Sequence, residues 1–214
     1  MGVTEWVLLA VLVIVVAVVL LWRRAVRLDV LHRTVLRSRA TLEAQLVRRA
    51  SAAYELAASG ALDPAEALLV TDVALRASDA SGAELVPDGL AGPEGTGPLD
   101  EAALTGDGPR PASAQETGEP VDRGLVESEL SRTLRAVLGE PEEQAVLAAD
   151  PRAADIVSRL HQSWYRLQLA RRFHNSHVEQ VRSLRSDAVV RVFHLAGRAP
   201  VPEPFDMDDA LPPR

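Results

Sequence analysis

The chain lacks both cysteine and lysine: its 214 residues include no thiol, and all 23 basic residues are arginine. Without thiols there are no disulfides, thiolate metal ligands or cysteine nucleophiles. Without lysine there is no phosphate-loop lysine, no Schiff-base chemistry and no lysine of the protein-kinase or penicillin-recognising type. The sequence also contains no serine-hydrolase elbow and no zinc-protease or nudix-type motif. We therefore predict a protein that is not an enzyme and has no cofactor.

Aromatic residues are scarce too, since only eight occur in the chain. The arginines are interspersed with apolar positions, a pattern that disfavours nucleic-acid binding. Charge is divided by segment: residues 23–59 carry a net +5, residues 60–150 a net −14, residues 151–200 a net +6 and residues 201–214 a net −3. This division predicts two basic helices neutralised by an acidic middle, and no nucleic-acid partner.

One long apolar run is present, from residue 7 to residue 21, with Trp6 and Trp22 at its ends. Seventeen helical residues extend about 25 Å, enough for a thin bilayer core, and tryptophan favours the membrane interface. A cleaved signal peptide, the alternative interpretation, needs a basic leader and a small-residue cleavage site. Because the leader contains Glu5 and the run ends at Trp22, the pattern predicts an uncleaved transmembrane helix over residues 6–22.

The charges that flank this run predict its orientation. Arg23, Arg24 and Arg27 follow the run, whereas Glu5 precedes it, and arginine-rich flanks stay in the cytoplasm. We expect a single-pass protein of the cell (inner) membrane, with residues 1–5 outside the cytoplasm and the bulk of the chain inside. The three arginines are then expected to contact anionic lipid.

Apolar residues at helical spacing continue from Arg23 to Gly60, so the anchor is predicted to run directly into a long cytoplasmic helix. Asp63 and Pro64 restart the chain as a helix cap and a first-turn proline, and the second helix is expected to end near Ser81. Residues 23–81 are therefore predicted to form an antiparallel helical hairpin.

Composition changes sharply after this hairpin. Residues 82–124 contain nine glycines, six prolines and nine acidic residues but only two arginines. Such a segment is too poor in apolar surface to offset its ordering entropy. We predict a disordered acidic linker over residues 82–122, the second half of the bundle over residues 123–197, and a non-helical, proline-rich acidic tail over residues 198–214.

The second half of the bundle is predicted to contain a helix ending at Gly139, a short segment from Pro141 to Ala149, and the longest helix, opened by Asp150. The seam of the longest helix alternates steps of three and four: Leu160, Ser163, Leu167, Ala170, His174, His177, Val181 and Leu184. Trp164, Tyr165 and Phe173 are expected to pack in the core and on its flanks. A short helix from about Asp187 to Ala196 is predicted to follow. The predicted fold class is all-α, a transmembrane helix continuous with an antiparallel, up-down helical bundle.

Three stretches of the sequence form recognisable motifs. Residues 169–175 read Leu-Ala-Arg-Arg-Phe-His-Asn and lead to Val178, residues 45–49 read Gln-Leu-Val-Arg-Arg, and residues 202–206 read Pro-Glu-Pro-Phe-Asp. Together they resemble the LemA family, in a divergent, arginine-rich form of the actinobacterial type. His174 stands where the family has tyrosine, and Val181 and Arg182 replace a second Tyr-Asn pair. The resemblance implies a single-pass membrane protein with a helical bundle and no established enzymatic activity.

Two histidines on the seam are the main chemical candidates. His174 and His177 lie one helical turn apart, a spacing at which two imidazoles can share a metal. Carboxylate-bridged metal bundles also need Glu-x-x-His pairs on facing helices, and the sequence has none. We expect a polar ring hydrogen bonded across the bundle and leave a metal-assisted enzyme as the alternative. Protonation of both rings below about pH 6.5 is expected to loosen the bundle.

The neighbouring residues are predicted to serve in contacts. Asn175 is expected to set helix register through a hydrogen bond, or to touch a partner. The pairs Arg48-Arg49 and Arg171-Arg172 are expected on solvated faces, and a salt bridge into the acidic helices is the alternative. Together with Phe173 and the two histidines, Arg171, Arg172 and Asn175 form the candidate interaction set.

The predicted function is a membrane-tethered interaction or scaffold module. The anchor would concentrate a helical bundle at the inner membrane surface, where an exposed helix face or the acidic tail recruits an unknown protein partner. The lipid bilayer is the other expected partner. Self-association into a homo-oligomer through the heptad seam remains open beside this hypothesis.

Overall fold

A computed structural model describes residues 2–90, 122–193 and 199–211 of the chain. In these ranges the regular structure is helical, with no strand: α1 (Val3–Ala58), α2 (Pro64–Asp79), a 3₁₀ turn (Ala80–Gly82), α3 (Arg123–Gly139), α4 (Pro141–Ala149), α5 (Pro151–Ser186) and α6 (Ala188–Val192). The predicted all-α fold class is confirmed. Most of the predicted linker, residues 91–121, lies outside the described residues.

Local sequence signals explain the helix boundaries. Four helices begin behind an aspartate whose carboxylate accepts a backbone N–H of the first turn: Asp63, Asp122, Asp150 and Asp187. Gly60 follows α1 with a φ of +76°, a backbone conformation that glycine adopts without strain. The last short helix, α6, ends at Val192, earlier than the predicted Ala196, and residues 194–198 are outside the described ranges.

The two longest helices, α1 and α5, pair along most of the bundle. Three polar contacts mark the pairing in order: Arg24 with Asp187, Ser38 with His174, and Glu55 with Arg159. Residue numbers rise on α1 as they fall on α5, so the two helices are antiparallel. The predicted up-down arrangement therefore holds for this pair.

We call the part of the bundle far from the apolar run the distal half: α1 from Arg49 to Ala58, α2, α3, α4, and α5 from Pro151 to Trp164. Here α2 packs on α1 and α3, α4 packs on α3 and α5, and all five helices bury apolar side chains in one core. Trp164 is 0% exposed at the centre of this core, which fits its predicted core packing.

The proximal half comprises α1 from Leu28 to Leu46, α5 from Leu167 to Ser186, and two non-helical stretches. These stretches are the inner segment, residues 83–90, and the C-terminal strap, residues 199–211. Their buried apolar side chains complete a core with α1 and α5: Leu85, Val86, Phe205 and Met207. The prediction that the linker is disordered from residue 82 is wrong for the inner segment. Burial of its adjacent Leu-Val pair stabilises the ordered conformation and offsets the loss of conformational entropy.

The first residues of α1 have no such cover. Within the part of the chain that the structure describes, one helix is long and apolar enough to cross a membrane, with a mean hydropathy of 2.9 over its best window. That window is 0% buried, and both Trp6 and Trp22 are exposed. The helix then continues unbroken into the bundle, as predicted.

Candidate functional site

The C-terminal strap lies in a groove between α3 and α5. The strap is non-helical, as its prolines predict, and its acidic side chains are bound to the bundle. Asn175 holds it through a two-way amide contact, because its side chain donates to the carbonyl oxygen of Phe205 and accepts from the Phe205 N–H, each at 3.0 Å. Asn175 therefore positions the strap and not a neighbouring helix.

The acidic end of the strap is fixed by polar side chains of α5. The indole N–H of Trp164 and the amide of Gln168 donate to the carbonyl oxygen of Asp209, at 3.1 and 2.6 Å. The guanidinium of Arg171 donates twice to the Asp209 carboxylate, at 2.8 and 3.0 Å. Arg171 is thus engaged inside the molecule and is not the solvated residue that was predicted.

Contacts with α3 hold the other side of the strap. Arg135 donates to both carboxylate oxygens of Asp208, at 2.8 and 2.5 Å. At Gly124, an added Cβ would lie 2.5 Å from the backbone oxygen of Asp206, closer than real Cβ contacts allow. Glycine at this position therefore lets the strap lie against α3.

The strap also secures the inner segment. The N–H of Glu203 donates to the carboxylate of Asp88 at 3.1 Å, and Arg39 donates to the same oxygen at 2.8 Å. Arg185 donates to the carbonyl oxygens of residues 199 and 200, each at 2.8 Å. The two non-helical stretches and α1 therefore form one connected polar network.

His174 is fully buried between α1 and α5. Its Nδ1 lies 3.0 Å from the hydroxyl of Ser38, which donates its own proton to the carbonyl of Val35 at 2.8 Å. The contact between Nδ1 and the hydroxyl is a hydrogen bond across the bundle, and its direction depends on which ring nitrogen carries the proton. Burial, and less strongly the charge of Arg39, lowers the pKa of His174 to about 4. A neutral histidine that bonds across the bundle agrees with the first of the two sequence interpretations.

His177 lies one turn further along α5 and is half-buried. Among the described residues, neither Nδ1 of His177 nor Nε2 of His174 has a hydrogen-bond partner. Over the same ranges, no three His, Cys, Asp or Glu side chains are grouped so that they could hold a metal ion. His174 and His177, the two predicted metal ligands, therefore lie near each other, but the described residues supply no third ligand.

The distal half contains an ion pair whose burial the sequence analysis missed. Arg49, predicted on a solvated face, is fully buried and donates to the Glu127 carboxylate at 2.7 Å and to Ser131 at 2.6 Å. Its guanidinium also lies 5.5 Å from the ring centre of Trp164. Burial lowers the pKa of Arg49 and raises the pKa of Glu127, while their mutual attraction opposes both shifts.

Several other predicted residues lie on the surface. Phe173 is 61% exposed and Tyr165 is 56% exposed, so the prediction that they pack in the core or its flanks is wrong. Arg172 is exposed next to Phe173. Beside the end of the apolar run, Arg23 and Arg27 are exposed, whereas Arg24 is bound to Asp187.

Comparisons with known proteins add no relative: no protein family model, curated protein or solved structure matches the chain. The resemblance to the LemA family therefore depends on the motifs in the sequence alone.

Proposed function

We propose that this protein is a LemA-like, membrane-anchored scaffold with no enzymatic activity. Its N-terminus lies outside the cytoplasm and its bundle lies at the inner face of the cell membrane. The observation that carries the proposal is the continuity of α1, whose exposed apolar turns lead without a break into the bundle. A rigid connection of this kind holds the bundle at a fixed distance from the bilayer.

The contacts of the three family-like stretches support the LemA part of the proposal. The 169–175 stretch and the 202–206 stretch bind each other directly through Asn175 and Phe205. Leu46, from the third stretch, belongs to the same buried cluster as Phe205. The resembling residues thus form one contiguous unit around the strap and are not scattered matches.

The exposed outer face of α5 is the surface we assign to a protein partner. Of the six candidate interaction residues, His174, Asn175 and Arg171 are occupied by contacts within the chain. Phe173 and Arg172 remain exposed, and exposed aromatic and arginine side chains are typical of residues that contribute most to binding.

Topology is tested with single cysteines, which the cysteine-free chain permits without background labelling. In intact cells, a membrane-impermeant maleimide should label Thr4→Cys, and it should label Tyr54→Cys only after lysis. Both positions are exposed. The reverse pattern would refute the orientation, and release of the chain by alkaline carbonate would refute the anchor.

Partner binding is tested with a photo-crosslinking amino acid at position 173 in the membrane of living cells. A matched control places the same group at position 54, another exposed aromatic site, on α1. A discrete adduct of foreign protein at 173 alone supports recruitment. An adduct that contains only this chain would favour the homo-oligomer instead, and metal that co-purifies in stoichiometric amount and is lost in His174→Gln would favour the enzyme alternative.

A further inference from the structure

The short helix α6 lies beside the end of the apolar run. One shallow cleft is lined by Ala17, Leu20, Leu21 and Arg24 of α1 together with Val189 and Phe193. From Ala17 to Arg24 the helix axis rises about 10 Å. The α6 region therefore runs alongside the last turns of the stretch that is apolar enough to cross a membrane.

Two of the exposed side chains at the end of α6 are large and apolar. Val190 is buried, whereas Val192 is 70% exposed and Phe193 is 57% exposed. A valine and a phenylalanine this exposed are unfavourable in water. Phe193 lines the cleft together with Leu20 and Leu21, so its ring continues the apolar surface of α1. A bilayer that surrounds the last turns of the apolar run would also cover Val192 and Phe193.

Polar contacts fix the position of α6 relative to α1. Asp187 caps α6 by accepting the N–H of Val189 at 2.9 Å, and the same carboxylate pairs with Arg24. Exposed Arg23, Arg27 and Arg191 surround this junction. Arginine side chains at this level can extend to lipid headgroups while their stems lie along apolar surface.

We propose that α6 and Phe193 form a second membrane contact, in which Val192 and Phe193 enter the leaflet from which Arg24 emerges. Helices at membrane interfaces bury their apolar face by about 5–10 Å, which matches the length of α1 alongside α6. The inference rests on the proposed function, because it requires α1 to span the bilayer. Its consequence is that the bundle is attached at two points, so that rotation about the α1 axis is restricted.

The test uses the full-length protein in nanodiscs of phosphatidylcholine and phosphatidylglycerol at about 3:1. An environment-sensitive fluorophore is attached to Phe193→Cys, and in a second variant to Val192→Cys. Phe173→Cys is the matched control, since Phe173 is a phenylalanine of similar exposure, at 61%, on the outer part of the bundle. Val13→Cys, within the apolar run, reports on the anchor itself.

Two quenchers are compared: nitroxide lipids labelled near the top of the acyl chain, and aqueous iodide. At positions 192 and 193 we expect the nitroxide lipids to quench the fluorescence at least twofold more than iodide does. At the control position 173 we expect iodide to quench the fluorescence more than the nitroxide lipids do. If 192 and 193 behave like 173 while position 13 is quenched by lipid, the second contact is refuted and the anchor stands. If position 13 is also quenched by iodide, both the anchor and the second contact are refuted.

Discussion

The helices α1 and α5 run through both halves of the bundle, but their apolar faces are covered differently in the distal half and in the proximal half. In the distal half, α2, α3 and α4 share one apolar core with α1 and α5, whereas in the proximal half the inner segment and the C-terminal strap take their place. A helix satisfies its backbone hydrogen bonds internally, but an extended segment must find partners elsewhere. The proximal half provides them from side chains such as Asn175, Gln168 and Arg185.

This difference predicts different modes of failure. The distal half should lose its stability as a unit, because its helices share one apolar core around a buried ion pair. The proximal half should open locally, because the strap is attached by individual contacts that can break while the helices remain paired. The variants below separate these two behaviours.

The largest effect is expected at the buried ion pair of the distal half. Replacing Arg49→Met leaves Glu127 buried without its main partner, and such changes typically cost about 3–5 kcal/mol. Chemical unfolding of the full-length protein in detergent, followed by circular dichroism, measures the loss.

The matched control is the double variant Arg49→Met with Glu127→Leu, which removes both charges. Apolar replacement of a buried pair is often nearly neutral, so the double variant should recover more than half of the loss. Equal losses in the single and double variants would show that the packing of Arg49 on Trp164, and not the stranded charge, is responsible.

The second prediction concerns His174 in the proximal half. Its pKa is about 4 in the folded protein, against about 6.5 in the unfolded chain. Between these values the unfolded chain binds a proton that the folded chain does not, so stability is full above pH 6.5 and falls as pH decreases towards 4. The total loss from this group is on the order of 3 kcal/mol.

Unfolding free energies at pH 7 and pH 4.5 for the wild type and His174→Gln isolate the effect, because glutamine does not titrate. The difference between the two pH values should shrink by about 2 kcal/mol in the variant. An unchanged difference would mean that other groups, such as His32, whose pKa is also lowered by burial, govern the response. Because His174 stays neutral until pH is near 4, we expect the bundle to remain helical at pH 5.5. This expectation replaces, for His174, the loosening below about pH 6.5 that was expected from the sequence.

The third prediction concerns the strap itself. In Gly124→Ala, the new methyl group would lie 2.5 Å from the backbone oxygen of Asp206 and must displace the strap. Overpacking typically costs about 1–3 kcal/mol, offset in part by the better helix propensity of alanine. Hydrogen exchange of residues 199–211 should accelerate while the helical content stays constant.

Gly139→Ala is the matched control, since a Cβ there would meet no atom of the described residues within 4 Å. Its strap should exchange at the wild-type rate. Cooperative unfolding of the whole bundle in Gly124→Ala would contradict the local opening that we expect for the proximal half.

The helices could be predicted well because the signals that start, continue and end a helix lie within its own sequence. Aspartate caps, first-turn prolines and apolar steps of three and four place α2, α4 and α5 to within a few residues. The seam of α5 faces inward at Leu160, Leu167 and Val181, as its spacing predicts. These signals need no knowledge of what the helix packs against.

The segments that pack against the seam of α5 could not be predicted as well from the sequence. The binding of Asn175 to the strap joins residues 30 positions apart, and nothing in either local pattern specifies the pairing. The signals that existed were weak: Leu85-Val86 in an otherwise polar segment, and Phe205 and Met207 at alternate positions in the tail. Arg49 was predicted to be exposed because arginine is charged. The one signal of a buried counter-ion was the position of Glu127 on α3, on the same helix face as the buried Leu130 and Leu134.

The smallest effect is expected at the surface pair Glu55–Arg159, which joins α1 and α5 in the distal half at 2.7 Å with both side chains nearly half exposed. Solvent screens such pairs, and ordering two long side chains opposes their attraction. Glu55→Gln should therefore shift the thermal midpoint by less than about 4 °C, and the double variant Glu55→Gln with Arg159→Gln should add little. A larger, salt-dependent shift would mean that charge on the outer surface stabilises the α1–α5 pairing. The buried core would then not be its main support, and the contrast between the two halves would have to include the surface as well.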